Sequence, residues 1–186
     1  MRILVIPEDS VQDQYILQPM IEAMLKAKGK KNARVRVCSD PRLQGVSQAL
    51  KWDNIEKIID KYRMVDLFLL CVDRDGVESR KESLNHIEQK AREILPSDKS
   101  FFAENAWQEI EVWVLAGHKL PLEWNWQEIR NENNPKEIYF EPFVKQRNLS
   151  DEPGRGRKTL AYEAAKEYHR IRQLCPEMAE LEGRIG

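Results

Sequence analysis

The stretch LFLLCVDRDG (67–76) runs from apolar residues straight into Asp73, Arg74, Asp75 and Gly76. Two carboxylates one residue apart repel each other, and a hard divalent cation relieves that repulsion. Mg²⁺ accepts a few carboxylates, several waters and the phosphate oxygens of a substrate. RILVIP (2–7) ends in the same manner, in Glu8 and Asp9. Ligands of an open parallel sheet bind beyond the carboxyl ends of its strands. If these two strands are neighbours, three or four carboxylates meet on one edge, with Arg74 the only local cation. Acids and glycine also suit strand-to-helix turns, where they cap the next helix. Spacing alone leaves both readings open.

A second acid stands in an unusual place. Helical spacing over ENAWQEIEVWVLAGHK puts Glu111 on one side with Trp107, Val114 and Leu115, and Glu109 on the opposite side. A lone carboxylate in the centre of an apolar stripe is costly to bury. It calls for a basic partner, a proton or a metal, unless it reaches out to water. Glu104, seven residues earlier, falls on the same face or marks a strand end.

The third feature is PGRGRKT (153–159). Two glycines free the backbone to approach a ligand, and Arg155, Arg157 and Lys158 add positive charge just before an expected helix. A helix N-terminus with basic residues suits a phosphate; a charged linker is the alternative. It is not a Walker A loop, because Arg157 separates Gly156 from Lys158 and no strand precedes it. His86, His118 and His169 are isolated, and Cys38, Cys71 and Cys175 are far apart with no C-x-x-C pair. That pattern argues against a disulfide framework or a zinc knuckle. Trp124 and Trp126 could stack bases or anchor a loop, and KAKGKKNARVR (26–36) could meet a nucleic-acid backbone or form a solvated helix end.

These residues need elements to position them. Apolar periodicity predicts strands at 2–7, 33–38, 65–72 and 99–104. Helices are expected from Ser10 with a kink at Pro19, from 47 to 63 and from 79 to 95. The alternation indicates α/β with a mainly parallel, Rossmann-like sheet. Run 65–72 should be a central strand buried on both faces. After residue 104 the pattern turns helical, which divides the chain into a core at 1–104 and a helical extension at 105–186 packed on it. A length of 186 residues fits one compact unit, and a net charge of −1 gives no global attraction to nucleic acid. No apolar run approaches the ~20 residues of a membrane span, and MRILVIP is too short for a signal peptide. A cytoplasmic protein is expected.

With these features in place, the chain resembles the Toprim (topoisomerase–primase) domain, and in particular small bacterial Toprim-related proteins akin to the OLD-family nucleases. VIPEDSVQDQYIL (5–17) is similar to the motif in which a strand ends in Glu, LLCVDRDG (69–76) to the D-x-D motif, and ENAWQEIEVWVLAG (104–117) to the Trp-bearing helix of that subgroup. RKTLAYEAAKEYHRIRQLCPEMAEL resembles its C-terminal helices. The family's first motif usually continues with Gly, where this chain has Asp9, and Asp13 stands where a second Glu is usual. The resemblance implies a Toprim-type sheet and a Mg²⁺- or Mn²⁺-dependent nuclease acting on DNA or RNA. Asp73, Asp75 and Glu111 would hold metal, and Glu8 would activate water or complete the metal shell. Lys158 would act in catalysis by neutralising transition-state charge, and Arg155 and Arg157 would bind the nucleic-acid phosphate beside it. Two other functions fit the same residues. One is a catalytically silent Toprim-like module that binds a protein partner in a defence or repair complex. The other is a haloacid-dehalogenase-like phosphatase with Asp73 as nucleophile.

Overall fold

The computed structural model describes residues 1–186. Four strands, β1 (Arg2–Pro7), β2 (Arg34–Val37), β3 (Leu67–Asp73) and β4 (Ser100–Ala106), form one sheet in the order β2-β1-β3-β4. All three pairings are parallel, with Pro7 opposite Cys71 and Asp73 opposite Ala106. The architecture is the expected Rossmann-like α/β sheet flanked by helices.

Side chains alternate across each strand, and the two central strands bury both sets. Ile3, Val5, Leu67, Leu69 and Cys71 face one core; Leu4, Ile6, Phe68, Leu70 and Val72 face the other. The first core is roofed by α1 (Gln14–Ala27) and by helices from the second half of the chain: α5 (Glu111–Ala116), α8 (Arg157–Lys166), α9 (Tyr168–Leu174) and α10 (Pro176–Arg184). The second core lies under α2 (Val46–Ala49), α3 (Trp52–Lys61) and α4 (Arg80–Ile94). Residues beyond 104 thus join α1 in building one of the two layers that cover the sheet. Between α5 and α8 lie α6 (Trp126–Asn131), a π-helical turn (Lys136–Phe140) and α7 (Glu141–Gln146).

Several local expectations change. The first helix starts at Gln14 rather than Ser10, because Asp9 and Asp13 hold the preceding residues in a polar loop. The Asp9 N–H donates to Asp13 Oδ2 at 2.9 Å, and the Val11 N–H to Asp9 Oδ1 at 2.8 Å. That helix continues through Pro19 without a break, its packing on buried Ile16, Leu17 and Met20 outweighing one lost ladder bond. The 47–63 helix is two pieces, interrupted at Lys51, whose ψ of 117° is extended. The largest revision concerns 104–110. The fourth strand continues to Ala106, and residues 107–110 form a loop before α5.

That revision moves Trp107 and Glu109 off the helix altogether. Glu104 and Asn105 look like the end of a strand, yet both are buried inside it. Lys81 Nζ binds the Glu104 carboxylate at 2.5 and 2.6 Å, and Asn105 Nδ2 donates to the Ala106 carbonyl.

No helix is long and apolar enough to cross a membrane.

Candidate metal centre

Because β1 and β3 are neighbours and β4 follows, the loops after all three strands converge on one edge of the sheet. Asp73 is the last residue of β3. Its Oδ1 accepts the Ile110 N–H at 2.9 Å, which ties the strand to the start of α5. Asp75 follows in the left-handed conformation, φ 52°, with Gly76 at φ 67°. Asp tolerates that region better than most residues and Gly enters it freely, so the D-x-D-G turn folds back on itself.

Asp73, Asp75 and Glu109 each offer a carboxylate oxygen, and the three oxygens lie within 4.8 Å of one another. This cluster can bind a metal ion. Glu109 Oε2 is fixed by the Lys136 N–H at 2.8 Å. No cation pairs with Asp73 or Glu109, and the only one near Asp75 is Arg80 at 3.7 Å. Three oxygen donors with so little compensation suit a hard divalent cation such as Mg²⁺ or Mn²⁺.

Gln108 clasps the loops together. Its φ of 70° is unusual for a residue with a side chain. Its carbonyl accepts the N–H groups of Arg74 and Asp75 at 2.8 and 3.2 Å. Its Oε1 accepts the Gly76 N–H at 2.9 Å, and its Nε2 donates to Asn133 at 3.2 Å. Four contacts hold a strained residue in place. The carbonyl and side chain of Gln108 together tie the D-x-D turn to the loop that carries Glu109.

Around this cluster stand more acids. Glu8 reaches it from β1, its Oε2 3.4 Å from the Asp73 N–H. Burial pushes the Glu8 carboxyl up to about 7, with the charges of Asp75 and Glu111 adding to the rise. Burial likewise holds Asp13 at about 8 and Glu109 at about 7. Asp73 is raised well above the ordinary carboxylate range by burial and by the charges of Glu111, Glu8 and Asp13. Each rise has the same physical content: burial disfavours the charged carboxylate and neighbouring negative charge adds to it, although Asp75 of the same cluster is exposed and Asp73 and Glu109 are half-buried.

Glu111 is buried on α5 as the apolar stripe implies, and its compensation is a basic partner. Arg157 Nη2 and Nε donate to Glu111 Oε1 at 2.6 and 3.0 Å. Arg157 is therefore buried and engaged, while Arg155 and Lys158 beside it are exposed. PGRGRKT is a pinned turn. Gly154 (φ 67°) lies so close to Tyr15 that an added Cβ would stand 2.4 Å from its ring, and at Gly156 (φ 81°) it would stand 2.9 Å from Val144.

The structure thus brings Glu8, Asp73 and Asp75 to one edge, with Glu111 held beside Asp73 by Arg157. It adds Glu109, Asp13 and Gln108. Only Asp13 carried a sequence signal.

A cleft of about 530 Å³ opens beside the cluster, lined by Arg74, Arg80, Lys81 and Arg130, by the acids Glu78, Glu104, Glu177 and Glu180, and by Trp107 and Trp126. The Arg74 guanidinium lies 3.9 Å from the centre of the Trp107 ring. Trp124, by contrast, packs edge-on against Tyr139 and anchors its loop.

No family model, curated protein or solved structure matches the chain.

Proposed function

We propose that the protein is a Mg²⁺- or Mn²⁺-dependent phosphodiester hydrolase acting on DNA or RNA, of the Toprim type that its motifs resemble. The observation that carries this reading is the meeting of Asp73, Asp75 and Glu109 within 4.8 Å at the carboxyl edge of a parallel sheet. A divalent cation bound there supplies charge stabilisation to a phosphate and acidity to a bound water.

The chain's own groups have separable tasks. Ile110 N–H and Lys136 N–H each hold one carboxylate oxygen, of Asp73 and Glu109, which fixes the orientation of both groups toward the cluster. Glu8, poised at about 7, has the basicity to accept a proton from attacking water near neutral pH. As the water oxygen bonds to phosphorus, the phosphorus–oxygen bond to the leaving sugar breaks, and the leaving oxygen takes a proton from solvent. Arg157 orients Glu111, whose negative charge lies beside Asp73. Exposed Lys158 and Arg155 supply charge for backbone phosphates further along the strand.

The test is cleavage of plasmid DNA and of an RNA transcript with Mn²⁺ or Mg²⁺, comparing wild type with Asp73→Ala and Glu109→Ala. Cleavage lost in both variants and on chelation is the expected result. Equal activity in wild type and Asp73→Ala overturns the reading.

A further inference from the structure

Three arginine side chains are about nine-tenths buried: Arg157, Arg130 and Arg80, with 9%, 11% and 9% of the side chain exposed. Arg157 is closed by Glu111 at 2.6 Å, and Arg130 grips Glu177 with two nitrogens at 2.7 and 3.0 Å. Arg80 has no such partner. The nearest carboxylate oxygen, on Asp75, is 3.7 Å away; the Arg74 carbonyl is 3.5 Å away; and Nε has no hydrogen-bond partner. A guanidinium taken out of water without a close anion is expensive.

Its surroundings say what kind of anion is missing. Arg80 lines the 530 Å³ cleft and touches Asp75 of the carboxylate cluster, so it stands where the two meet. Lys81 and Arg130, also on the cleft wall, are neutralised by Glu104 and Glu177, while Glu78 and Glu180 line the same wall and Glu82 stands in the first turn of α4. Arg74 has no carboxylate partner and lies over Trp107. Arg80 is also the first residue of α4, a helix of 15 residues whose Ser79 cap makes no side-chain bond. The N–H groups of Lys81 and Glu82 in its first turn have no backbone acceptor. A buried fork of donors at an open helix N-terminus matches the oxygens of a phosphate group.

We propose that Arg80, with Arg74 and the first turn of α4, binds the phosphate of the substrate at the junction of the carboxylate cluster and the cleft. The anion's identity as a phosphodiester rests on the hydrolase reading above; the anion site itself does not. The strand then runs through the cleft, where Trp107 and Trp126 flank the nucleoside next to that phosphate, and the exposed cations of PGRGRKT serve only its far end.

The experiment is calorimetric titration of the full chain with inorganic phosphate in the presence of Mg²⁺, on wild type, Arg80→Gln and Arg80→Lys. Wild type should bind at millimolar concentration or better. Arg80→Gln should weaken binding by about 10-fold or more, and Arg80→Lys by about 3-fold, since it keeps the charge and loses the fork. Thermal melting establishes that each variant is folded; if Arg80→Gln is not, Arg80→Lys decides. No phosphate binding by wild type, or unchanged affinity in the folded variants, overturns the proposal. A protein that cleaves nothing yet binds phosphate through Arg80 refutes the hydrolase and keeps this site. Asp73-dependent cleavage with phosphate binding indifferent to Arg80 refutes this site alone.

Discussion

Arg157 and Arg80 are buried to the same extent and both reach acids at the same sheet edge, yet their surroundings differ. Arg157 meets Glu111 at 2.6 Å and gives a further bond to the Gly154 carbonyl at 3.2 Å. Arg80 stands 3.7 Å from Asp75 with one nitrogen unpaired. The first arrangement is complete within the protein and serves to join α5 to α8. The second is incomplete within the protein, and a ligand completes it. Burial of a charge therefore does not separate structure from function. The closeness of its partner does.

The largest effect should come from breaking the complete pair. Arg157→Leu leaves Glu111 buried without its cation, and stability should fall by about 3–5 kcal/mol. Replacing both, Arg157→Leu with Glu111→Leu, should recover most of that loss in urea unfolding. Arg80→Gln should cost about 1 kcal/mol or less, because no close ion pair is lost. Equal losses for the two arginines would erase the contrast.

Next in size is Gly117→Ala. Gly117 closes α5, and a Cβ there would lie 2.5, 2.6 and 2.8 Å from the Cβ, Cα and carbonyl oxygen of Ala164 on α8. Two of those atoms belong to the backbone, which cannot swing aside. The helices that carry Glu111 and Arg157 must separate, at a cost of about 2–3 kcal/mol in thermal or urea unfolding. An unchanged midpoint would show that the pair does not depend on this close approach.

The contrast also has a pH form. Asp13 holds its proton up to about 8 in the folded chain, against an ordinary value of 3.8. Between those values the folded state keeps a proton that the unfolded chain has released, so stability falls as pH rises and the loss is complete above 8. Glu8 and Glu109 act in the same direction up to about 7. Metal-free protein should therefore melt lower at pH 9 than at pH 6.5, and Mg²⁺ or Mn²⁺ should raise the midpoint more at the higher pH. Buried His118, its basicity lowered, acts the opposite way below this window. Asp13→Asn keeps an acceptor for the Asp9 N–H and should stabilise metal-free protein at pH 9 by about 2 kcal/mol. A flat midpoint from pH 6.5 to 9 would mean that the acids are compensated within the chain.

How legible this was depended on which force set each element. The order of strands and helices followed from apolar periodicity, as in 65–72, where both faces are buried. The acids at strand ends followed from the chemistry of an open sheet edge. Arg157 as the partner of Glu111 lay among the options, since a buried carboxylate needs a cation, but its position 46 residues away carries no local signal. Helical spacing extended back to residue 104 puts Glu109 opposite Glu111. The register fails there because Gln108 takes a left-handed conformation that only tertiary contacts enforce. Arg80 gave no sign, because exposed and buried arginines look alike at the start of an amphipathic helix.

The finest distinction lies between the two glutamates of the β4–α5 segment. The motif resemblance assigns the ligand role to Glu111, whereas the geometry offers Glu109, whose oxygen lies within 4.8 Å of those of Asp73 and Asp75. Glu111 Oε1 already accepts two guanidinium nitrogens, so much of its charge is spent on Arg157. Glu109 meets only a backbone N–H. Removing a direct carboxylate ligand should weaken Mn²⁺ binding by about 10-fold or more, in the range that even supporting groups reach. Glu109→Gln should show that loss in a calorimetric or electron-spin titration, while Glu111→Gln should change the affinity by less than about 3-fold and lower stability instead. If Glu111→Gln shows the larger loss of affinity, the ion sits deeper than the three-carboxylate cluster, against the first turn of α5, and Arg157 holds a ligand in place instead of closing a structural pair.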